Sequence, residues 1–201
     1  ETSDGGTRDV FIAWEDVETM AADERGVYEP ANEEDWTTGG FRKVVRYSDD
    51  TNRAVSLMPT GDGTWPTALI AGFSMHRFGV GVDPKEDTEK KLASAGPIRR
   101  GARVLDVCTG LAYTSCVAFE KYGARVTTIE LDRTMTAMCR MNPHSRPLFE
   151  GGIEQLYGNG ADVVKTLPDA EFDVIVHDPP TFSLAGELYS TEFYAELKRI
   201  L

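Results

Sequence analysis

From residue 99 onward, short apolar runs alternate with helix-patterned segments four times, and this alternation leaves few folds open. Strands are expected at Arg103–Val107, Arg125–Glu130, Ile153–Tyr157 and residues 172–177. Helices are expected at residues 112–122, 133–142, 161–167 and 190–201, with Gly123, Asn142-Pro143 and Pro168 as their stop signals. Repeated strand–helix units with near-continuous apolar strands require a parallel sheet covered on both faces. In such an α/β sheet every strand ends at one common edge, and ligands bind there.

The preceding part reads differently. Residues 1–40 form an acidic arm with isolated aromatics (Trp14, Tyr28, Trp36) and a short helix expected near residues 14–22. Strand-like segments at 41–47 and 54–58 are joined by Ser48-Asp49-Asp50-Thr51-Asn52, and a third, at 67–73, follows Gly61-Asp62-Gly63. This predicts a small antiparallel β meander, then a helix over residues 83–95 opened by Pro84. The expected division is 1–40, 41–98 and 99–201.

Charge separates the same regions. Of 33 acidic and 21 basic side chains, 12 and 2 lie in residues 1–40, leaving 21 against 19 elsewhere. The overall acidity therefore carries little weight against a nucleic-acid substrate for the remainder. No apolar run reaches the roughly 18–20 residues of a membrane span. No charged segment leads into an apolar one at the start of the sequence, as a secretory signal would. Cys108, Cys116 and Cys139 lack metal-type spacing. Reduced structural thiols and an intracellular protein are the expectation.

Each of the four strand ends carries a polar or glycine turn. The first reads Leu105-Asp106-Val107-Cys108-Thr109-Gly110-Leu111-Ala112-Tyr113. Cys108 and Ala112 break the G-x-G-x-x-G pattern that a dinucleotide pyrophosphate needs, which argues against a dehydrogenase. Glu130, with Leu131 after it, sits where an acid accepts both hydroxyls of a ribose, and Asp132 suits a helix N-cap. At the third end, Asn159-Gly160 offers a donor and an acceptor to an adenine edge, or simply a turn. The fourth end is His177-Asp178-Pro179-Pro180. Two prolines stop the strand and stiffen the turn, leaving a carboxylate and the Pro179 carbonyl as acceptors for a planar amino group.

Taken together, these residues resemble the class I S-adenosylmethionine-dependent methyltransferases. Residues 105–110 look like the first cofactor loop, Glu130 like the ribose-binding acid, and Asn159 stands where an Asp commonly meets the adenine. Asp178-Pro179-Pro180-Thr181-Phe182 is similar to the D/N-P-P motif of enzymes that methylate amino nitrogens or RNA bases. A closer likeness, over about residues 65–201, is to an uncharacterised archaeal-type group of predicted methyltransferases. It rests on Gly72-Phe73-Ser74-Met75-His76-Arg77, Asp83-Pro84 with Asp87-Thr88, Cys108-Thr109-Gly110-Leu111 with Tyr113-Thr114, and His177–Pro180 leading to Ala185-Gly186-Glu187-Leu188-Tyr189-Ser190. Ala112 departs from the Gly usual there, and Asn159 from the usual Asp.

The resemblance implies a Rossmann-like methyltransferase sheet of order 3-2-1-4-5-7-6, of which this sequence supplies four strands. A C-terminally incomplete sheet with an apolar fourth-strand edge is therefore expected: either the sequence is a piece of a longer protein, the favoured reading, or the N-terminal meander or a partner subunit covers that edge. S-adenosylmethionine is the implied cofactor, held by Asp106, Thr109, Gly110, Glu130, Leu131, Asn159 and Gly160. Asp178 and Pro179 are the implied acceptors for the reacting amine, with Phe182, Tyr113, His76 and Arg77 lining the substrate. The substrate itself (RNA, protein or a small amine) is left open. Two alternatives stand beside methyl transfer: a structural subunit that has lost catalysis, and aminopropyl transfer as in polyamine synthases. A protein partner on the acidic arm belongs with the first.

Overall fold

The computed structural model describes residues 12–31 and 40–201, and the chain divides into two compact units between Val44 and Val45. In the first, α1 (Trp14–Ala21) precedes β1 (Tyr28–Pro30) and β2 (Phe41–Lys43), which pair antiparallel. The Tyr28 hydroxyl donates to Asp23 at 2.6 Å, and Lys43 forms an ion pair with the same carboxylate. The rest of the expected acidic arm, Trp36 included, lies outside the described residues.

The second unit opens with the expected meander. β3 (Val45–Ser48), β4 (Arg53–Met58), β5 (Thr67–Ile70) and β6 (Phe73–Ser74) pair antiparallel in that order. Two boundaries differ from the sequence reading. The strand expected over 41–47 breaks at Val44, whose N–H turns to Val27 O at 2.8 Å and leaves the ladder. The strand expected over 67–73 is a hairpin, because Ala71 and Gly72 both take positive φ (50° and 84°), as a two-residue primed turn requires. Only Gly72 announced that turn; an Ala does not advertise a left-handed φ.

Helix α2 (Pro84–Ser94) starts as predicted, with Asp83 accepting from Glu86 N at 3.0 Å. β7 (Arg103–Val107), α3 (Tyr113–Tyr122), β8 (Arg125–Glu130), α4 (Arg133–Met141), β9 (Ile153–Tyr157), α5 (Gly160–Val163), β10 (Val174–His177) and α6 (Thr191–Ile200) follow, with 3₁₀ turns at Pro143–Phe149, Val164–Thr166 and Gly186–Tyr189. The sheet is parallel in the order β10-β7-β8-β9. The expected strand over 172–177 begins late, since Phe172 N donates to Ile200 O and Asp173 N to Arg103 O. Among the described residues β10 pairs only with β7. No described helix is long and apolar enough to cross a membrane.

Strand alternation assigns the two faces. Leu105, Val107 and Ile129 point into a core closed by Val164, Phe172, Leu188, Phe193, Leu197 and Ile200. The opposite face of β7 meets α3, where Ser115, Cys116 and Ala118 are buried. The meander is pinned to α4 through its turn: Asp50 accepts from Arg133 N at 3.0 Å, and the Thr51 hydroxyl donates to Asp132 at 3.2 Å. Asp132 is the N-cap of α4, accepting from Thr134 N at 2.8 Å, and is 4% exposed. Asp132→Ala removes both bonds and is expected to lower unfolding stability by about 1 kcal/mol, and Asp132→Asn by less; urea denaturation measures both.

Candidate active site at the strand ends

The carboxyl edge of β7 is built from an unusual backbone. Cys108, Gly110 and Ala112 all have positive φ (78°, 53° and 60°), so the turn rises steeply from the strand into α3. Ala112 is the N-cap of α3 and has no side chain to cap with. Asp106 takes over: its carboxylate accepts from the Ser115 hydroxyl at 2.6 Å, at the third position of the helix, and the Ser115 backbone acts on it in the same direction. The expected cofactor residue Asp106 is therefore a buried anchor, 2% exposed. Burial pushes its carboxyl up to about 7 against the Ser115 bonds, and Asp178 and Glu130 push the same way.

Glu130 joins the first two strand ends. One oxygen accepts from Gly110 N at 2.8 Å and the other from Asp132 N at 2.9 Å. Burial raises it to about 7 despite these donors. Cys108 N and Thr109 N both reach Ile129 O (3.1 and 2.9 Å), and the Thr109 hydroxyl lies 2.6 Å from that of Thr128. Thr109 is thus spent on holding the loop. Leu131 stands out at the tip of β8, 47% exposed. Asn159 caps α5 through its oxygen (Ala161 N, 2.9 Å) and donates to Glu187 at 3.2 Å, so its amide is fixed in one orientation. Gly160 is buried, and a Cβ there would meet Leu188 and Val107 at 3.3 Å.

Asp178 follows β10 directly. His177 pairs with Val107 and packs its ring on Phe193, 5.2 Å away, on the α6 face. Alternation then turns Asp178 to the α2–α3 face, where Lys91 Nζ meets its Oδ2 at 2.6 Å. Lys91 also lies 2.8 Å from Asp87, a buried carboxylate one helical turn earlier. The Tyr189 hydroxyl donates to Pro180 O at 2.6 Å and stands 3.5 Å from Pro179 O, so the Pro179 carbonyl keeps room for a further donor. Phe182 is 70% exposed and meets Tyr189 edge-on at 5.7 Å.

Four carboxylates, Glu130, Asp106, Asp178 and Glu187, act on the Cys108 thiol, adding to the burial that already raises it. Residues from the first, second and fourth strand ends thus share one small region with the 3₁₀ turn after β10. The remaining expected substrate residues differ in exposure. Tyr113 is 2% exposed; its hydroxyl donates to Pro66 O at 2.7 Å and accepts from Asn142 at 2.8 Å. It supports the site from beneath and has no surface for a substrate. Arg77 is exposed, while His76 packs over Tyr113 with ring centroids 4.9 Å apart. Burial, then Lys91, hold His76 down to about 4, so it is neutral.

No protein-family model matches the chain. It is 44% identical over 159 residues to the uncharacterised protein MJ1233 of Methanocaldococcus jannaschii, covering 79% of this chain and 53% of that one. It is 27% identical over 113 residues to the tRNA1(Val) (adenine(37)-N6)-methyltransferase of Shewanella sediminis, covering 55% and 46%. The chain thus spans about half the length of the curated relatives it matches. Among solved structures, a spermidine synthase in complex with the transition-state analogue AdoDATO superposes with a TM-score of 0.58 at 20% identity, covering 83% of this chain and 58% of that one. The fold is the Rossmann-like methyltransferase fold.

Within this methyltransferase fold, three participants escaped the sequence reading. Lys91 belongs to a run that reads as a charged helix face, and only the i, i+4 spacing from Asp87 hinted at a held ammonium. Ser115 sits where the third residue of a helix receives a cap, but its partner comes from a strand rather than the preceding residue. Met75 covers the cofactor loop: a Cβ on Gly110 would lie 2.7 Å from its sulfur.

The raised Asp106 carboxyl fixes a sign. The folded state holds this proton up to about pH 7, whereas the unfolded chain releases it near the ordinary carboxylate value, about 3.9. This group's contribution to stability is therefore fully present below about pH 4 and declines as pH rises to about 7. Asp106→Asn keeps an acceptor for Ser115 without the charge. Its melting temperature relative to wild type is expected to rise from pH 5 to pH 8, as calorimetry would register; a difference independent of pH is the contrary result.

Proposed function

We propose that this chain carries the cofactor site and the acceptor end of an S-adenosylmethionine-dependent methyltransferase acting on a planar amino nitrogen, of the kind an RNA base presents. The observation that carries this reading is the convergence of Asp106, Glu130, Asp178 and Glu187 at the tip of β7, with Asp178 on a rigid Pro-Pro turn. An anionic crevice of low polarity favours a cationic ligand over a neutral or anionic one. When bound, S-adenosylmethionine supplies an electrophilic methyl group on a positively charged sulfur.

The residues present fit that group. Each Glu130 oxygen uses one acceptor direction on the backbone and retains another for a ribose hydroxyl. Leu131 offers exposed apolar surface for a purine ring, and Asn159 keeps one N–H that its bond to Glu187 does not use. At the acceptor end, Asp178 Oδ1 and the Pro179 carbonyl receive the two hydrogens of an amino group and orient its lone pair. With the cofactor bound, the carboxylate would stabilise the positive charge that grows on nitrogen as the N–C bond forms and the S–C bond breaks, and it is placed to take the proton that the nitrogen then loses. Phe182 provides an exposed ring face for stacking a planar acceptor. The tRNA adenine N6-methyltransferase among the relatives supports an exocyclic amino group as the acceptor. The spermidine synthase likeness brings aminopropyl transfer into the same test.

Calorimetric titration with S-adenosylmethionine, its decarboxylated form and S-adenosylhomocysteine decides among these. Binding of S-adenosylmethionine is expected to tighten from pH 6 to pH 8 as Asp106 and Glu130, both raised to about 7, become anions. Neutral S-adenosylhomocysteine is expected to respond less. Glu130→Ala weakens the cofactor by about 1–3 kcal/mol through lost charged hydrogen bonds. Tighter binding of the decarboxylated form favours aminopropyl transfer. If neither sulfonium binds, both enzymatic readings fall and a structural subunit is left.

A further inference from the structure

We propose that Lys91 sets acceptor specificity: its ammonium occupies the cation position on Asp178 and leaves the site selective for a neutral planar amino group over a protonated aliphatic amine. This deepens the proposed function and rests on it. Asp178 by itself does not discriminate, since a bare carboxylate beside a carbonyl receives an ammonium at least as well as an arylamine.

Lys91 is held in place for this role. Asp87 is 7% exposed, and a carboxylate so buried requires a cationic or hydrogen-bonding partner. Lys91, one turn further along α2, supplies it at 2.8 Å and reaches on to Asp178 Oδ2 at 2.6 Å. Its side chain is 28% exposed against 56% for Asp178, so the ammonium approaches from the protein side and the open side of the carboxylate faces solvent. Both acids push the lysine's proton affinity up against the effect of burial, which keeps it charged. His76, the other basic group acting with this cluster, is neutral.

What remains open is the other carboxylate oxygen of Asp178, next to the Pro179 carbonyl, with the Lys91 ammonium already 2.6 Å from Oδ2. A neutral N–H donor gains two acceptors there. A second ammonium would lie against Lys91 and, with the sulfonium bound, against two cations. Like charges brought together in a site of reduced polarity are costly, and this is how specificity arises by exclusion. Lys91 is therefore a positioning and selectivity residue acting through Asp178.

The test uses adenosine as the neutral planar amine and putrescine as the protonated aliphatic amine, each titrated against the protein saturated with S-adenosylhomocysteine. Wild type is expected to favour adenosine. Lys91→Met is expected to bind putrescine about three- to fivefold more tightly, the range of a partly exposed ion pair, and to lose that gain in high salt. Adding Asp178→Asn should abolish the gain, and Lys91→Arg should behave as wild type. Because Lys91→Met leaves Asp87 buried and unpaired, the Asp87→Asn/Lys91→Met double variant serves as the folded control and should show the same switch. Putrescine binding unchanged or weakened in both variants, with S-adenosylhomocysteine still bound, overturns the role of Lys91 alone. Failure of wild type to bind S-adenosylmethionine and S-adenosylhomocysteine overturns the reading beneath it.

Discussion

The site depends on the Glu130 carboxylate bridging two backbone N–H groups, one in each of two neighbouring strand turns. Gly110 and Asp132 follow different strands, and parallel pairing fixes β7 against β8 only as far as Val107 and Ile129. Beyond that point the ladder ends and the two turns need another constraint. Ile129 O extends it slightly by accepting from Cys108 N and Thr109 N, and Glu130 completes it. The charge so placed is costly, because burial raises the carboxyl even with these donors in place. A neutral glutamine there would present one donor and one acceptor where two backbone donors need two acceptors.

Strand periodicity then divides the labour on β7 and β10. Leu105, Val107 and His177 turn to α6 and its aromatic residues, while Asp106 and Asp178 turn to α2 and α3. Polar groups on that second face meet helices: Ser115 on α3 meets Asp106, and Lys91 on α2 meets Asp178. Asp106 does what Ala112 cannot, since an alanine at the N-cap leaves the first turn of α3 without a side-chain acceptor. The left-handed backbone at Cys108, Gly110 and Ala112 brings that helix start over the strand end. At Cys108 and Ala112 this is a conformation that L side chains adopt at an energetic cost.

The legible part of the sequence was the part governed by local rules. Apolar runs marked β7 to β9, Pro84 with Asp83 marked the start of α2, and the two prolines after Asp178 marked the end of β10. The strand-end positions of Glu130, Asp178 and the first loop were legible because each follows an apolar run directly. What escaped depends on residues far apart in the chain. Val44 leaves its strand for Val27, Ala71 turns without a glycine's signature, and Tyr113 is buried because Pro66 and Asn142 engage its hydroxyl. Lys91 escaped for a related reason. A lysine on a charged helix looks solvated until the partner from another strand is in place.

Charge connects these observations. Burial at the strand ends is costly for a carboxylate, and Asp106 and Glu130 hold their protons to about pH 7, with neighbouring acids adding to the effect. In the proposed site, a cationic ligand at the tip of β7 would offset part of that cost. Asp178 is treated differently: it is exposed, and a cation is provided from inside, through Lys91 and the buried Asp87 behind it. One end of the crevice is therefore left short of positive charge and the other is supplied with it. That asymmetry fits the proposed transfer, in which the positive charge arrives on the cofactor and the acceptor comes in neutral.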